Sequence, residues 1–338
     1  DFAIGNPPYQ ENVENREEQP PVYHLFYDAS FAISPRVTLI SPARFLFDAG
    51  KTPSEWNKKM LKDEHLKVAA YYPNSREVFP SVEIKGGVAI IYRDALMNYG
   101  AIDQFIPNDV VRTILNKVML DSFKPLASIV FSNTSYKYSE LFYAENKDFS
   151  ARVSGGSSRY LSSSAFDKFP EVFLENAPQE GQYAKIIGRK DNQRRFFYFK
   201  EEYLNPPDNY EKYKVFMSSS NGSGTFGEAL TPPFLGFPKD GATETFISIG
   251  NFDSKNEASN LIKYITTKFL RLLLSTKKVT QGNKNNKVWT NVPLQDFTDQ
   301  SDINWNVSVD EIDRQLYKKY GLDSKEIDFI ESHVKEMK

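Results

Sequence analysis

Cysteine is absent from the sequence, and histidine occurs only three times in 338 residues. The absence of cysteine excludes disulfides, thiolate metal ligands and a cysteine nucleophile. The histidines, at positions 24, 65 and 333, are widely separated, so a histidine-based metal site is not expected. We therefore predict a site without a metal and a reducing, cytoplasmic setting.

Long apolar runs are also missing. No stretch of about 18 apolar residues occurs, so the sequence predicts no membrane span. The net charge of −2 neither requires nor excludes nucleic acid, because binding depends on local basic patches. The length is sufficient for two domains. The sequence opens without Met, directly on a strand-like segment, and we expect it to be a piece of a longer polypeptide.

Strand and helix patterns alternate over roughly the first 100 residues, which is typical of an α/β sheet. Phe2-Ala3-Ile4 is predicted to be a short buried strand before a Pro-Pro turn. Helical spacing covers residues 22–33 and 54–61, and apolar strands are expected at 37–40, 68–72 and 87–92.

The pattern changes after residue 100. Helical spacing covers residues 109–121, and one long amphipathic helix is expected over 256–275. Strands are expected at 183–187 and 195–203 on either side of a polar turn, 188–194. Two helices separated by Gly321, with Asp323 or Ser324 as the second N-cap, are expected in the tail.

The segment Asn6-Pro7-Pro8-Tyr9 carries the chemistry that the sequence suggests. An amide oxygen and a backbone carbonyl can accept both hydrogens of an exocyclic amine and leave its lone pair directed at a methyl donor. Asn6 supplies the amide, and Pro7 supplies a carbonyl that its fixed φ holds in place. Tyr9 offers a ring on which an extruded base can stack. The alternative is a plain Pro-Pro corner at a strand end.

These four residues, Asn6, Pro7, Pro8 and Tyr9, resemble motif IV of the amino-group methyltransferases that use S-adenosylmethionine. Later segments resemble motifs V to VIII in the order of the gamma-class, TaqI-like adenine methyltransferases: 22–31, 37–47, 68–79 and 77–91. The resemblance implies that residues 1–104 form the C-terminal portion of a Rossmann-like methyltransferase sheet. It also implies that Phe79 contacts the flipped adenine, whereas its residue type alone fits a core aromatic equally well.

The remaining sequence resembles the larger restriction-modification methylases, through Trp289–Phe297 and Gln315–Leu322. In those proteins methylase and target recognition share one polypeptide. The resemblance implies a mixed α+β DNA target-recognition domain at 105–300 and a C-terminal helical segment at 301–338. An endonuclease domain fused in the parent chain is compatible with it.

A cofactor motif is not recognisable in the sequence. Gamma-class enzymes carry a glycine-rich loop ahead of motif IV, and none precedes Asn6 here. The cluster Asn221–Thr225 contains two glycines, but a Rossmann loop should lead into a helix, and Gly227, Pro232 and Pro233 follow instead. We interpret the cluster as a flexible or DNA-facing loop. S-adenosylmethionine is thus expected to bind in the full-length protein, and the fragment alone is expected to be inactive.

Basic residues form clusters in the second region, and Lys and Arg side chains are suited to phosphate contacts. The candidates for DNA binding are Arg189, Lys190, Arg194, Arg195, Lys277, Lys278, Lys284 and Lys287, with Arg159 after the Gly155–Ser158 segment as a weaker one. For residues 277–287 a solvated surface loop is the alternative.

The sequence therefore predicts a site-specific DNA adenine methyltransferase of a restriction-modification system, with double-stranded DNA as its partner. A methyltransferase acting on protein glutamine or on RNA is an alternative, because a glutamine amide is a similar planar group. More than 200 residues follow the predicted catalytic sheet, which favours a recognition module. A non-catalytic DNA-specificity module is the second alternative.

Overall fold

The computed structural model describes residues 1–11, 19–48, 51–120, 123–153, 159–222, 224–278, 282 and 286–337. The chain divides into two compact units, Asp1–Asn108 and Asp109–Lys338. Each unit has its own cluster of buried apolar residues. No helix within the described ranges is long and apolar enough to cross a membrane.

The described residues of the first unit form a four-stranded sheet with helices. The elements are β1 (Phe2–Gly5), α1 (Tyr23–Ile33), β2 (Arg36–Pro42), α2 (Ser54–Lys62), β3 (Leu66–Tyr72) and β4 (Val88–Asp94). The strand order is β1-β2-β4-β3, with β1 and β2 parallel and the other pairs antiparallel. Helix α1 is the crossover that a parallel pair requires. The predicted mixture of helices and strands is confirmed for this unit.

Strand β1 is an edge strand, and the predicted burial of Phe2 and Ile4 is wrong. Phe2 is 56% exposed and Ile4 is 77% exposed, because β1 pairs with β2 alone among the described strands. The interior of the sheet lies instead in β2 and β4, where Val37, Leu39 and Ile91 are buried. A run of three apolar residues cannot distinguish an edge strand from a central one.

Aromatic side chains hold α1 and α2 together. Trp56 of α2 is buried, with its ring centroid 5.8 Å from that of Tyr27 in α1 and 5.2 Å from that of Phe45. Its indole Nε1 donates to Asp28 Oδ1 at 3.3 Å. The Tyr27 hydroxyl is hydrogen-bonded to Ser41 Oγ at 3.0 Å, which ties α1 to β2. Aromatic pairs of this kind contribute about 0.5–1.5 kcal/mol beyond the area they bury.

The loop between β3 and β4 is held by one buried serine. Ser75 Oγ donates to the Val82 carbonyl at 2.9 Å and accepts from the Ile84 amide at 2.8 Å. At the end of the loop Gly87 has φ +78°, and a Cβ there would lie 2.4 Å from the Tyr72 carbonyl oxygen. Glycine is therefore required for the chain to re-enter the sheet as β4.

The second unit combines small sheets with helices. Its elements are α3 (Asp109–Val118), β5 (Val130–Phe131), β6 (Lys137–Tyr138), α4 (Glu140–Glu145), α5 (Ala165–Lys168), β7 (Tyr183–Lys190), β8 (Gln193–Lys200), β9 (Leu204–Asn205), β10 (Tyr213–Ser218), β11 (Phe234–Gly236), β12 (Asp240–Ala242), β13 (Phe246–Phe252), α6 (Lys255–Thr266), α7 (Lys268–Ser275), α8 (Val309–Lys319) and α9 (Ser324–His333). The sheet orders among the described strands are β11-β10-β13-β5, β12-β7-β8 and β6-β9.

The long helix predicted over 256–275 is two helices, so that prediction is wrong in its continuity. Thr267 is extended, with φ −61° and ψ 148°, and its side chain accepts from the Leu270 amide. The carboxylate of Asp313 accepts from the amides of Lys268 and Phe269, both at 2.9 Å, and so caps α7 from α8. Burial raises the pKa of Asp313 to about 6. The amphipathic spacing continues through the break because both helices face the same core.

The tail agrees with its prediction. Helices α8 and α9 are separated by Gly321, which has φ +61°. Asp323 is the N-cap of α9 and forms a capping box with Glu326. The cap satisfies two backbone amides that would otherwise lack partners at the start of the helix.

Candidate active site and nucleic-acid interface

The Asn6–Tyr9 corner follows directly on β1. Two prolines end the strand there, because proline has no amide hydrogen to continue the ladder. Asn6 and Pro8 are exposed, whereas Pro7 is buried. The Asn6 side chain forms no hydrogen bond with any described residue. The corner lies at the carboxyl end of a parallel strand, which is the edge where open α/β sheets bind ligands.

Tyr9 is half-buried and packs against the core of the first unit. Its carbonyl oxygen accepts from the Val22 amide at 3.2 Å, so the backbone at the corner is fixed. The phenol oxygen is buried and finds no hydrogen-bond partner among the described residues. Burial raises the pKa of Tyr9 to about 12, so the ring is neutral at physiological pH.

Tyr9 and Phe79 are far apart in the sequence but adjacent in the structure. Their ring centroids are 6.3 Å apart with an interplanar angle of 69°, an edge-to-face contact. Phe79 is partly exposed, and its backbone is fixed by bonds to Ser75 and Val82. The corner therefore offers a planar ligand an amide with no internal partner and an accessible pair of aromatic rings.

Residues 1–79 match the Eco57I restriction-modification methylase family. The matched segment begins at β1 and ends at Phe79, so it contains the corner and both aromatic residues. The crystal structure of the type IIG restriction endonuclease BpuSI is similar, with 11% identity and a TM-score of 0.34. That alignment covers 88% of this chain and 46% of BpuSI, so the chain spans less than half the length of that enzyme. No curated protein sequence matches the chain.

The candidate DNA-contact residues at 189–195 lie on a β-hairpin. Strands β7 and β8 continue to Lys190 and from Gln193, so the turn is only Asp191-Asn192, shorter than the predicted 188–194. Both turn residues are left-handed, with φ 52° and 58°, as two-residue hairpin turns require. The basic residues therefore stand on paired strands at the end of a hairpin rather than in a loose turn.

Four cations flank one carboxylate, that of Asp191, at this hairpin end. Arg189 lies opposite Arg194, and like charges in register are unfavourable unless an anion binds them. In the described part of the chain, none of Arg189, Lys190, Arg194 and Arg195 forms an ion pair. The guanidinium of Arg194 lies 4.0 Å from the Phe234 ring centroid, which orients it. Such a group of cations is suited to phosphate oxygens.

The lysines at 277–287 differ from the hairpin cations in their burial. The prediction that Lys278 contacts DNA is wrong. Lys278 is 4% exposed, and its Nζ contacts the Asn221 carbonyl oxygen at 2.8 Å and Glu228 Oε1 at 2.5 Å. An interior ion pair of this kind leaves no amine for a phosphate, so Lys278 is not a DNA contact in this structure. Lys277 is partly buried and Lys287 is exposed. Lys284 lies outside the described residues.

The glycine cluster after β10 does not lead into a helix. Asn221 Oδ1 accepts from the Thr231 amide at 2.8 Å, and the Glu228 carboxylate accepts from the Gly224 amide at 3.0 Å. Among the described residues the next element is strand β11, antiparallel to β10. The loop thus differs from a dinucleotide-binding loop, whose amides stand at a helix N-terminus.

Basic residues that no sequence pattern indicated line a cavity of about 480 Å³ in the first unit. Arg44, Lys51 and Lys85 line it together with Tyr9. They are isolated in the sequence, so no local charge run marks them. Only the position of Arg44 could have indicated a site, because Arg44 follows β2, the strand that is parallel to β1. In the second unit Arg159 lines another cavity with Lys137, while Gly155–Ser158 lie outside the described residues.

Proposed function

We propose that this chain is part of a site-specific DNA adenine methyltransferase of a restriction-modification system. Two observations support the proposal: the match of residues 1–79 to a restriction-modification methylase family, and the unpartnered Asn6 amide at the end of β1. S-adenosylmethionine supplies the methyl group in this class. The described residues include no glycine loop that leads into a helix, so we place the donor site in the full-length protein and expect the chain alone to be inactive.

The observation that carries the proposal is the contact between Phe79 and Tyr9, the last residue of the Asn6–Tyr9 corner. In the proposed mechanism, Asn6 Oδ1 and the Pro7 carbonyl accept the two hydrogens of the adenine amino group. Its lone pair is then directed outward, toward the methyl donor. Pro8 keeps the turn rigid. Tyr9 and Phe79 stack against the extruded base, and such stacking contributes about 1–3 kcal/mol per base.

The DNA contacts are proposed for the second unit. Arg189, Lys190, Arg194 and Arg195 would bind phosphates from the hairpin end, with Lys277, Lys284 and Lys287 as further contacts. In domain terms we propose a catalytic portion at 1–104, a target-recognition domain at 105–300 and a C-terminal helical segment at 301–338. The hairpin supports a DNA-binding role for the second unit, because its four cations, none in an ion pair with a described residue, match the charge of a nucleic-acid backbone.

A second candidate is a DNA-specificity module without catalysis. The absence of a helix after the glycine cluster in the described residues favours it for the chain in isolation. In that case the Asn6 corner would be a structural remnant, and only the hairpin would act. The two candidates differ in one respect that can be measured, namely methyl transfer by the full-length protein.

The test is methylation of unmethylated duplex DNA by the full-length protein with radiolabelled S-adenosylmethionine, followed by nucleoside analysis. We expect label in N6-methyladenine. Label in cytosine would overturn the adenine assignment, and label in RNA or in protein glutamine would overturn the DNA assignment. DNA binding without any methyl transfer would favour the specificity module.

A further inference from the structure

The cavity beside Tyr9 is separate from the surface that we assign to the target base. Among the described residues, its lining includes Tyr9, Tyr23, Pro42, Arg44, Lys51 and Lys85. Neither Asn6 nor Phe79 belongs to that lining. Its volume, about 480 Å³, falls in the range of about 300–1,000 Å³ that is typical of ligand sites. Tyr9 is therefore shared by the corner and by this cavity.

This cavity carries an excess of positive charge. Among the described residues of its lining there are three cations, Arg44, Lys51 and Lys85, and one carboxylate, Glu83. Glu83 is already engaged, because its Oε2 pairs with Arg76 at 3.0 Å. Within the described chain, neither Arg44 nor Lys85 has a carboxylate at ion-pair distance. Arg44 and Lys85 therefore carry charge that no described carboxylate balances.

Arg44 is held in place by backbone. Its Nε donates to the Lys85 carbonyl oxygen at 2.5 Å, which fixes the plane of the guanidinium. The side chain lies against Gly86, where a Cβ would approach Arg44 Cγ to 2.8 Å. A guanidinium of fixed orientation offers its remaining N–H groups in a fork that matches phosphate oxygens.

We propose that this cavity binds a phosphodiester group of the DNA strand that carries the target base. The inference rests on the proposed function and extends it to the backbone of the flipped nucleotide. Extrusion turns a nucleotide about its flanking phosphates, so an enzyme that stacks the base on Tyr9 gains from fixing a phosphate nearby. Arg44 supplies the oriented contact, while Lys51 and Lys85 supply charge.

Single glutamine substitutions at Arg44, Lys51 and Lys85 test the proposal in the 338-residue chain, with duplex DNA as the probe. Lys62→Gln is the matched control, because it removes an exposed lysine of the same unit that does not line the cavity. We expect each cavity variant to weaken binding about tenfold and to lower the salt slope by about 1. Lys62→Gln should change neither. Lys85→Gln leaves the backbone carbonyl that Arg44 uses, so it should fold normally.

Lysine acetylation read by mass spectrometry gives a second measurement that does not depend on activity. Duplex DNA should protect Lys51 and Lys85 but not Lys62, while deoxyadenosine monophosphate at equal phosphate concentration should not protect them. Equal protection by the monophosphate would make this a free-phosphate site and overturn the DNA assignment. If the cavity variants bind duplex DNA as tightly as Lys62→Gln, the proposed phosphodiester site in the cavity is wrong. Neither result bears on methyl transfer, which the nucleoside analysis tests separately.

Discussion

Two buried charged groups of the second unit have fixed partners, whereas two polar groups at the corner of the first unit have none among the described residues. Lys278 and Asp313 are almost fully buried, and each makes two contacts to fixed partners. Asn6 and the phenol of Tyr9 make no hydrogen bonds to described residues. Buried atoms of the second unit, such as Trp289 Nε1, also lack partners, so a missing partner alone does not mark a ligand site. The Asn6 amide differs from them because it is exposed and therefore accessible to a ligand. The contrast is between two buried charges that maintain the fold and an accessible amide at the corner.

Removing Lys278 should give the largest effect, and the effect should be on stability. Lys278→Met leaves the mostly buried Glu228 carboxylate without this cation, which costs up to about 3–5 kcal/mol. Denaturant unfolding measures this change. The double variant Lys278→Met, Glu228→Leu should recover much of the loss. A loss of DNA affinity in the folded variant would contradict the assignment of Lys278 to the interior.

Removing the Asn6 amide should lower the methylation rate and leave stability almost unchanged, in contrast to removing Lys278. Asn6→Ala is expected to lower the methylation rate of the full-length protein on the order of 10²–10³-fold, as for loss of one preorganised hydrogen-bonding group. Its free energy of unfolding should change by less than about 0.5 kcal/mol, because the side chain has no internal partner. Asn98→Ala is the control, since the Asn98 amide is exposed but bonded to Glu64. Methylation that survives in Asn6→Ala would remove the proposed role.

The contribution of Asp313 to the stability of the protein depends on pH. Its pKa is raised from 3.8 to about 6, so between these values the folded state holds a proton that the unfolded state has lost. Its contribution to stability is therefore greatest below about pH 4 and falls as pH rises to 6, by up to about 3 kcal/mol. Unfolding free energies of wild type and Asp313→Asn across pH 4–7 measure this slope. An unchanged slope in the variant would show that another group titrates.

The hairpin cations should give the smallest effects. Arg189→Gln and Arg195→Gln are each expected to weaken DNA binding several-fold and to lower the salt slope by about 1. Stability should be unchanged or slightly higher for Arg189→Gln, because it removes one of two like charges that are paired in register. Arg314→Gln, which removes an exposed cation paired with Glu311, is the control. Salt slopes equal to that of the control would place the DNA elsewhere.

Local pattern predicted much of the first unit. The helix expected at 22–33 is α1, and the strands expected at 37–40 and 68–72 are β2 and β3. The meeting of Tyr9 with Phe79 was accessible only through the order of family motifs, because no periodicity relates two residues so far apart in the sequence.

What the sequence could not predict depends on distant partners. Lys278 looks like part of a surface cluster, and only Glu228, 50 residues earlier, makes it an interior residue. The break at Thr267 is likewise invisible in the spacing, because Asp313, 44 residues from Phe269, stabilises the new helix start. The prediction that β1 is buried was wrong for the same reason, since strand order is a property of the assembled sheet.

The packing of α2 has a practical use. Trp56 is the first unit's one tryptophan, and Trp289 and Trp305 belong to the second. Its indole is enclosed by Tyr27 and Phe45, so its fluorescence emission should shift to longer wavelength when that unit opens. With the other two tryptophans changed to phenylalanine, the fluorescence of Trp56 alone would report the unfolding of the unit that carries the Asn6–Tyr9 corner.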